Sequence, residues 1–238
     1  MLLLSGIFLV GCGSATNQSN RQSNLTNVPS VQTNSNQSKT YDGWSTIKIE
    51  GDIEFQIPPT MEIQSKEFQD LIRQVKPDYY KIVTRNNKLQ RIVVQQKGLN
   101  DYDPKAKEKY VRAIIKIDTK PISVFPKWGE DLAGVYSEAE LKKLEGELLN
   151  GTKFNSSMRF VKVNQHMKIT KVNDISCINM EYETQLGQNP VVMNSVYMFY
   201  NENKMYQVLI MIRSTEYEYW TEKDNDVRNI IKTVSLTK

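Results

Sequence analysis

The chain has 238 residues, 39% of them apolar, and a formal net charge of +4. Such a length holds one large domain or two small ones, and so small a charge gives little reason to expect the clustered basic face of a nucleic-acid surface. Two cysteines, Cys12 and Cys177, exclude a disulfide framework as the source of stability.

Residues 2–10 read Leu-Leu-Leu-Ser-Gly-Ile-Phe-Leu-Val and lead into Gly11-Cys12. The run is too short for a bilayer, which takes about 20 residues, and has the length of an export signal's apolar region. Leu9-Val10-Gly11-Cys12 resembles the bacterial lipobox. That resemblance implies a signal peptide over 1–11 and a lipid on the Cys12 thiol, with the leader cut just before it. No Lys or Arg precedes Leu2, so either the true start lies upstream or the leader is atypical. Residues 13–40 are dominated by Ser, Asn, Gln and Thr, with Arg21 and Lys39 as the charges and no aromatic ring. Such a composition cannot bury enough surface to repay ordering, so 12–40 reads as a lipid-anchored, disordered tether.

A single globular domain is expected over 41–238. Ile47 and Ile49, then Ile53, Phe55 and Ile57, alternate around Gly51-Asp52, a hairpin stopped by Pro58-Pro59. Phe68, Leu71, Ile72 and Val75 have helical spacing before Pro77. Strands are predicted at 79–84, 89–96 and 110–118. Ser137 and Glu140 form a capping box ahead of Leu141, Leu144, Leu148 and Leu149, with Asn150-Gly151 as the stop. A meander follows, with strands at 158–163, 167–172, 175–186, 191–200 and 205–213. In the last, Met205, Gln207, Leu209 and Met211 alternate with Tyr206, Val208, Ile210 and Ile212, so both faces read as apolar. A strand buried on both sides needs two covers, which predicts an α+β fold: a mainly antiparallel sheet with helices on both faces, an αβα sandwich. The segment 216–234 reads as the closing helix, capped by Thr215 or Thr221, with Val227, Ile230, Ile231 and Val234 together.

Gly51-Asp52-Ile53-Glu54-Phe55-Gln56-Ile57-Pro58-Pro59, the strands at 191–200 and 205–213, and the ending Ile230-Ile231-Lys232-Thr233-Val234 resemble the PsbP-like fold family. Through Arg91-Ile92-Val93-Val94-Gln95-Gln96-Lys97-Gly98-Leu99 the chain is also similar to a group of uncharacterised secreted proteins of gut-type bacteria. The likeness runs over most of 44–236. It implies a fold and an accessory or binding role on larger assemblies; its motifs are structural, and fold does not carry function.

Residue chemistry adds little. His166 is the one histidine, so neither a multi-histidine nor a His-Cys zinc site forms, and it reads as an exposed turn residue. Glu181 and Glu183 share one face of a strand, the spacing of a glycosidase pair, yet Glu-Tyr-Glu-Thr is more commonly a solvated edge. Asp101-Tyr102-Asp103-Pro104 and Glu222-Lys223-Asp224-Asn225-Asp226 lack the glycine and distant glutamate of an EF-type loop. No cofactor fingerprint or catalytic set is read. Phe125, Trp128 and Tyr136 lie in a loop with Pro126, Gly129 and Gly134. Exposed, they are recognition anchors; folded back, they form a lid, the commoner fate of large rings.

The sequence therefore predicts an exported, membrane-anchored bacterial envelope protein with a non-catalytic binding or accessory module at the membrane's outer face. Its partners are the membrane through Cys12 and an envelope protein or ligand, without nucleic acid. A carboxylate-dependent cell-surface hydrolase and a small-ligand carrier are the alternatives.

Overall fold

A computed structural model describes residues 40–49, 51–75, 89–120, 124–152, 158–223 and 225–237. The predicted signal, Cys12 and tether, and the strand expected at 79–84, lie outside them. Gly51, at φ 71, turns β1 (Ser45–Lys48) back onto β2 (Ile53–Ile57), the conformation that glycine adopts without steric cost. The C-terminal β10 (Ser235–Leu236) pairs with the other side of β2, making a sheet ordered β1-β2-β10.

The larger sheet is antiparallel, in the order β3-β4-β5-β9-β8-β7-β6. It opens with β3 (Met61–Ile63) and α1 (Lys66–Val75), where the Ser65 hydroxyl accepts from the Phe68 N–H at 3.1 Å. Next come β4 (Leu89–Gln96) and β5 (Val111–Thr119). Past α2 (Glu138–Thr152), β6 (Met158–Val172), β7 (Ile175–Leu186), β8 (Val192–Asn201) and β9 (Lys204–Arg213) form a meander, and β9 closes it against β5. The β6–β7 turn uses Asn173 and Asp174 at φ 48 and 64, the paired left-handed residues of a hairpin turn that matches strand twist.

Tyr206, Val208, Ile210 and Ile212 of β9 are buried on one face against Ile53, Phe55, Trp220 and Ile230. On the other, Leu209 packs with Val196, Met198 and the α2 residues Leu141 and Leu144. Both faces of β9 are thus covered, as its alternation predicts. Helices on both sides is a reading the structure corrects: the second cover is the small sheet with one short helix, α3 (Tyr217–Thr221), and a 3-10 segment (Val227–Thr233). The hairpin supplies a flat apolar face because Ile53, Phe55 and Ile57 repeat at period two. The fold is an antiparallel, sheet-dominated α+β arrangement.

Two further expectations change. The closing segment breaks after Thr221 and restarts as 3-10 helix, capped by Asp226, whose carboxylate accepts from the Arg228 N–H at 3.1 Å. Neither Thr215 nor Thr221 caps it; the Thr221 hydroxyl instead donates back to the Tyr217 carbonyl at 2.9 Å. Val227, Ile230 and Thr233 are all buried, and their spacing of three is that of a 3-10 helix. The Thr233 hydroxyl accepts the Gln56 N–H at 2.8 Å, fastening this segment to β2. In the meander, 158–163 and 167–172 belong to one strand interrupted by register shifts. His166 therefore lies in a strand, exposed as expected, with Nδ1 2.8 Å from Glu145 of α2. The capping box forms as read: Ser137 N–H to Glu140 Oε2 at 2.8 Å, Glu140 N–H to Ser137 Oγ at 3.3 Å. No helix of the described residues is long and apolar enough to cross a membrane.

One polar contact joins the two sheets. Asp52, buried at the β1–β2 turn, holds Lys204 Nζ at 2.6 Å and accepts from the Tyr206 hydroxyl at 3.2 Å. Burial, then the neighbouring Asp52 charge, drives the Tyr206 phenol far above its ordinary pKa. Asp52→Asn leaves Lys204 without its counter-charge; because that lysine is about a quarter exposed (26%), the expected loss is about 2 kcal/mol, below that of a fully buried pair. Urea unfolding is predicted to show a lower midpoint with an unchanged slope.

Candidate functional site

The layer of small sheet and 3-10 helix covers β4, β5 and β9 and reaches one end of β8 and β7, at Phe199, Ile175 and Cys177. Beyond it the same face of the large sheet continues across β8, β7 and β6. Register places Tyr197, Asn179 and Lys168 in one row, and Ser195, Glu181 and Gln165 in the next. Polar residues at every second position, opposite the buried Ile178, Met180 and Tyr182, mark a stretch of the sheet face that nothing among the described residues covers. Here a cleft of about 370 Å³ opens, bounded on one side by β6 and on the other by Ile231 and Lys232.

Its walls are tied together. Asn173 in the β6–β7 turn donates from Nδ2 to the Lys232 carbonyl, joining that turn to the 3-10 segment. On the floor Gln165 donates to Asn179 Oδ1, and Asn179 Nδ2 donates to the Val196 carbonyl at 3.1 Å. Asn179 is thus fixed by two neighbours. Glu181 lies beside it with no ion-pair or hydrogen-bond partner among the described residues, and Lys168 and Lys232 make no ion pair there. Burial, and second the Glu181 charge, push the Tyr197 phenol up to about 12. That shift runs against activation: a phenol with a raised pKa stays protonated and serves as a hydrogen-bond donor. The cleft therefore presents lysine ammonium groups, a phenol donor and one unpaired carboxylate, a set suited to holding a polar ligand.

Glu181 and Glu183 do share a face of β7, but β6 takes the sheet edge, so they are not an edge pair. Glu183 is engaged by Lys162 at 3.3 Å and by Asn164 at 3.0 Å, leaving the two carboxylates in different roles. The acidic runs are turn and cap residues: Asp103 accepts the Lys105 N–H at 2.9 Å, and Asp226 caps the 3-10 segment. In the aromatic loop, Phe125 and Tyr136 are each 8% exposed and pack on Tyr200, at centroid distances of 5.2 and 5.7 Å. Trp128 is half-buried, stacks on Phe199 at 5.5 Å and donates its backbone N–H to Asn201. The loop wraps the end of the β8–β9 hairpin, placing Phe125 and Trp128 on opposite faces of the sheet. Those rings are packed as a lid.

The cleft residues Lys168, Asn179 and Tyr197 were not singled out from the sequence. Their signal lay in the alternation of β7, where Asn179, Glu181 and Glu183 alternate with Ile178, Met180 and Tyr182.

No family model matches the chain, and no curated protein matches it. Among solved structures it is similar to the solution structure of cyanobacterial PsbP (CyanoP) from Synechocystis sp. PCC 6803, at 9% identity over 90% of this chain and 99% of that one, with a TM-score of 0.47.

Because Glu181 is the second cause of the Tyr197 shift, Glu181→Gln is predicted to lower the phenol's midpoint from about 12, while burial keeps it above 10.0. A pH titration of 13C-labelled tyrosine rings by NMR reads this directly. An unmoved midpoint would show that the two groups do not face one another.

Proposed function

We propose that the chain is an exported lipoprotein, held at the outer face of a bacterial membrane by a lipid on Cys12. Its domain is a non-catalytic binding or accessory module of PsbP-like fold that engages an envelope partner or ligand through the polar cleft. The observation that carries this reading is the stretch of sheet face that the described residues leave uncovered, where Lys168 and Tyr197 share one row with Asn179, and Glu181 lies in the next, beside Ile231 and Lys232. A sheet face that none of the described residues covers is a surface available to another molecule. The lipobox-like Leu9-Val10-Gly11-Cys12 and the Ser/Asn/Gln-rich 13–40 support the anchor; the Gly51–Pro59 wording and the two long C-terminal strands support the family of fold. The hydrolase alternative loses ground at Glu183, which Lys162 and Asn164 already occupy.

In its own host the full chain is expected to enter the detergent phase on Triton X-114 partition, and Cys12→Ala to stay in the aqueous phase. A photo-crosslinking side chain at position 168 is expected to capture one reproducible adduct, whereas one at Lys143, exposed on α2, captures none. Partition unchanged by Cys12→Ala would remove the anchor; equal adducts at both positions would remove the cleft as the contact.

A further inference from the structure

The opposite face of the sheet, on the side of α2, carries a charge arrangement that the cleft does not explain. Register sets Arg91 of β4 directly across from Lys116 of β5, and Lys116 across from Gln207 of β9. Four residues along the same face, Gln95 stands across from Arg112. Directly opposed side chains have Cβ atoms about 4.5–5.5 Å apart, and like charges in that relation are destabilising. The usual remedy is a carboxylate between them. Among the described residues, the two acids that register sets near this row are engaged. Asp118, two residues from Lys116, holds Lys120 at 2.8 Å. Glu62, across from Gln95, accepts the Asn100 N–H at 2.8 Å.

Among the described residues neither Arg91 nor Lys116 has an ion-pair or hydrogen-bond partner. Nε of Arg91 and Nε of Arg112 are closed off from solvent and have no acceptor. A buried donor left unpaired costs its full desolvation, and here it recurs on two guanidinium groups of one sheet face. The Lys116 ammonium responds in the same sense: burial, and next the Arg91 charge, lower its pKa to about 8. A guanidinium fork beside an ammonium is the donor set that recognises oxyanions.

We infer that Arg91 and Lys116, with Gln207 as a neutral donor beside them, form a binding site for a small phosphate-type oxyanion, distinct from the cleft on the other face. The bound anion takes the place of the missing carboxylate, accepting from both cations and cancelling their repulsion. The site owes nothing to the proposed role of the cleft, and either stands without the other.

The test is thermal unfolding of the full chain, with and without inorganic phosphate at ionic strength matched by sodium chloride, alongside Lys116→Met and Arg91→Gln. Wild type is expected to melt at a higher temperature in phosphate than in chloride. Lys116→Met, relieved of the like charge, is expected to melt no lower than wild type in chloride. Both variants should bind phosphate roughly tenfold or more weakly, as loss of a charge-assisted bond implies. Phosphatidic acid vesicles, compared with phosphatidylcholine vesicles, separate a lipid-borne phosphate from a free one; a response to either supports the site if both variants abolish it. Equal melting of wild type in phosphate and chloride with no vesicle response, or a response that survives in both variants, would overturn the inference.

Discussion

The pairing of β5 with β9 is the constraint on which the rest of the structure depends. It runs unbroken from Val111 opposite Ile212 to Thr119 opposite Lys204, and joins the strands before α2 to the meander after it. Because side chains alternate with period two, a slip of one residue would turn the whole apolar set of β9 to the wrong face. With the register set, Tyr206, Val208, Ile210 and Ile212 meet the hairpin residues Ile53 and Phe55, and Leu209 joins the cluster under α2. The same register puts Lys116 between Arg91 and Gln207. One pairing thus decides the core, the covers and the cationic row.

The covers are unequal, and the inequality makes the site. On the α2 side, the helix and the rings of Phe125 and Tyr136 reach β6, β7 and β8. On the other side the small sheet and the 3-10 segment reach only one end of β8 and β7, at Phe199, Ile175 and Cys177. The hairpin that supplies that cover has short strands, Ser45–Lys48 and Ile53–Ile57, against ten to fifteen residues in β6 to β9. A layer so narrow cannot span a sheet of this width. The sequence answers this geometrically, with Asn179, Glu181, Ser195 and Lys168 where the cover is missing.

Much of this was readable before the structure. The double alternation of β9, the Ser137–Glu140 box and the Gly51 turn each use local chemistry that leaves a residue-level mark, and each forms as written. Other features depend on partners distant in sequence and left no such mark. Buried positions 227, 230 and 233 fit a 3-10 segment, yet Val227, Ile230, Ile231 and Val234 also suit an α-helix; the contact of Thr233 with Gln56 accompanies the tighter turn. Residues 158–172 looked like two strands because their shifted register breaks the period where it would be counted. The cover over β9 was inferred correctly as a cover and wrongly as a helix, since a strand's alternation says that something lies above it and nothing about what. The cleft was legible only in retrospect, as the polar half of strands whose other half was already assigned to the core.

If the open sheet face is occupied in the cell, its lysines are shielded there. Quantitative lysine acetylation of the full chain, in isolated native membranes and after purification, reads this. Lys168 and Lys232 are expected to be protected in membranes and to react once purified, while Lys143 on α2 reacts equally in both. Equal reactivity of Lys168 and Lys232 in the two states would contradict it, and would mean that nothing sits on the face the fold leaves bare.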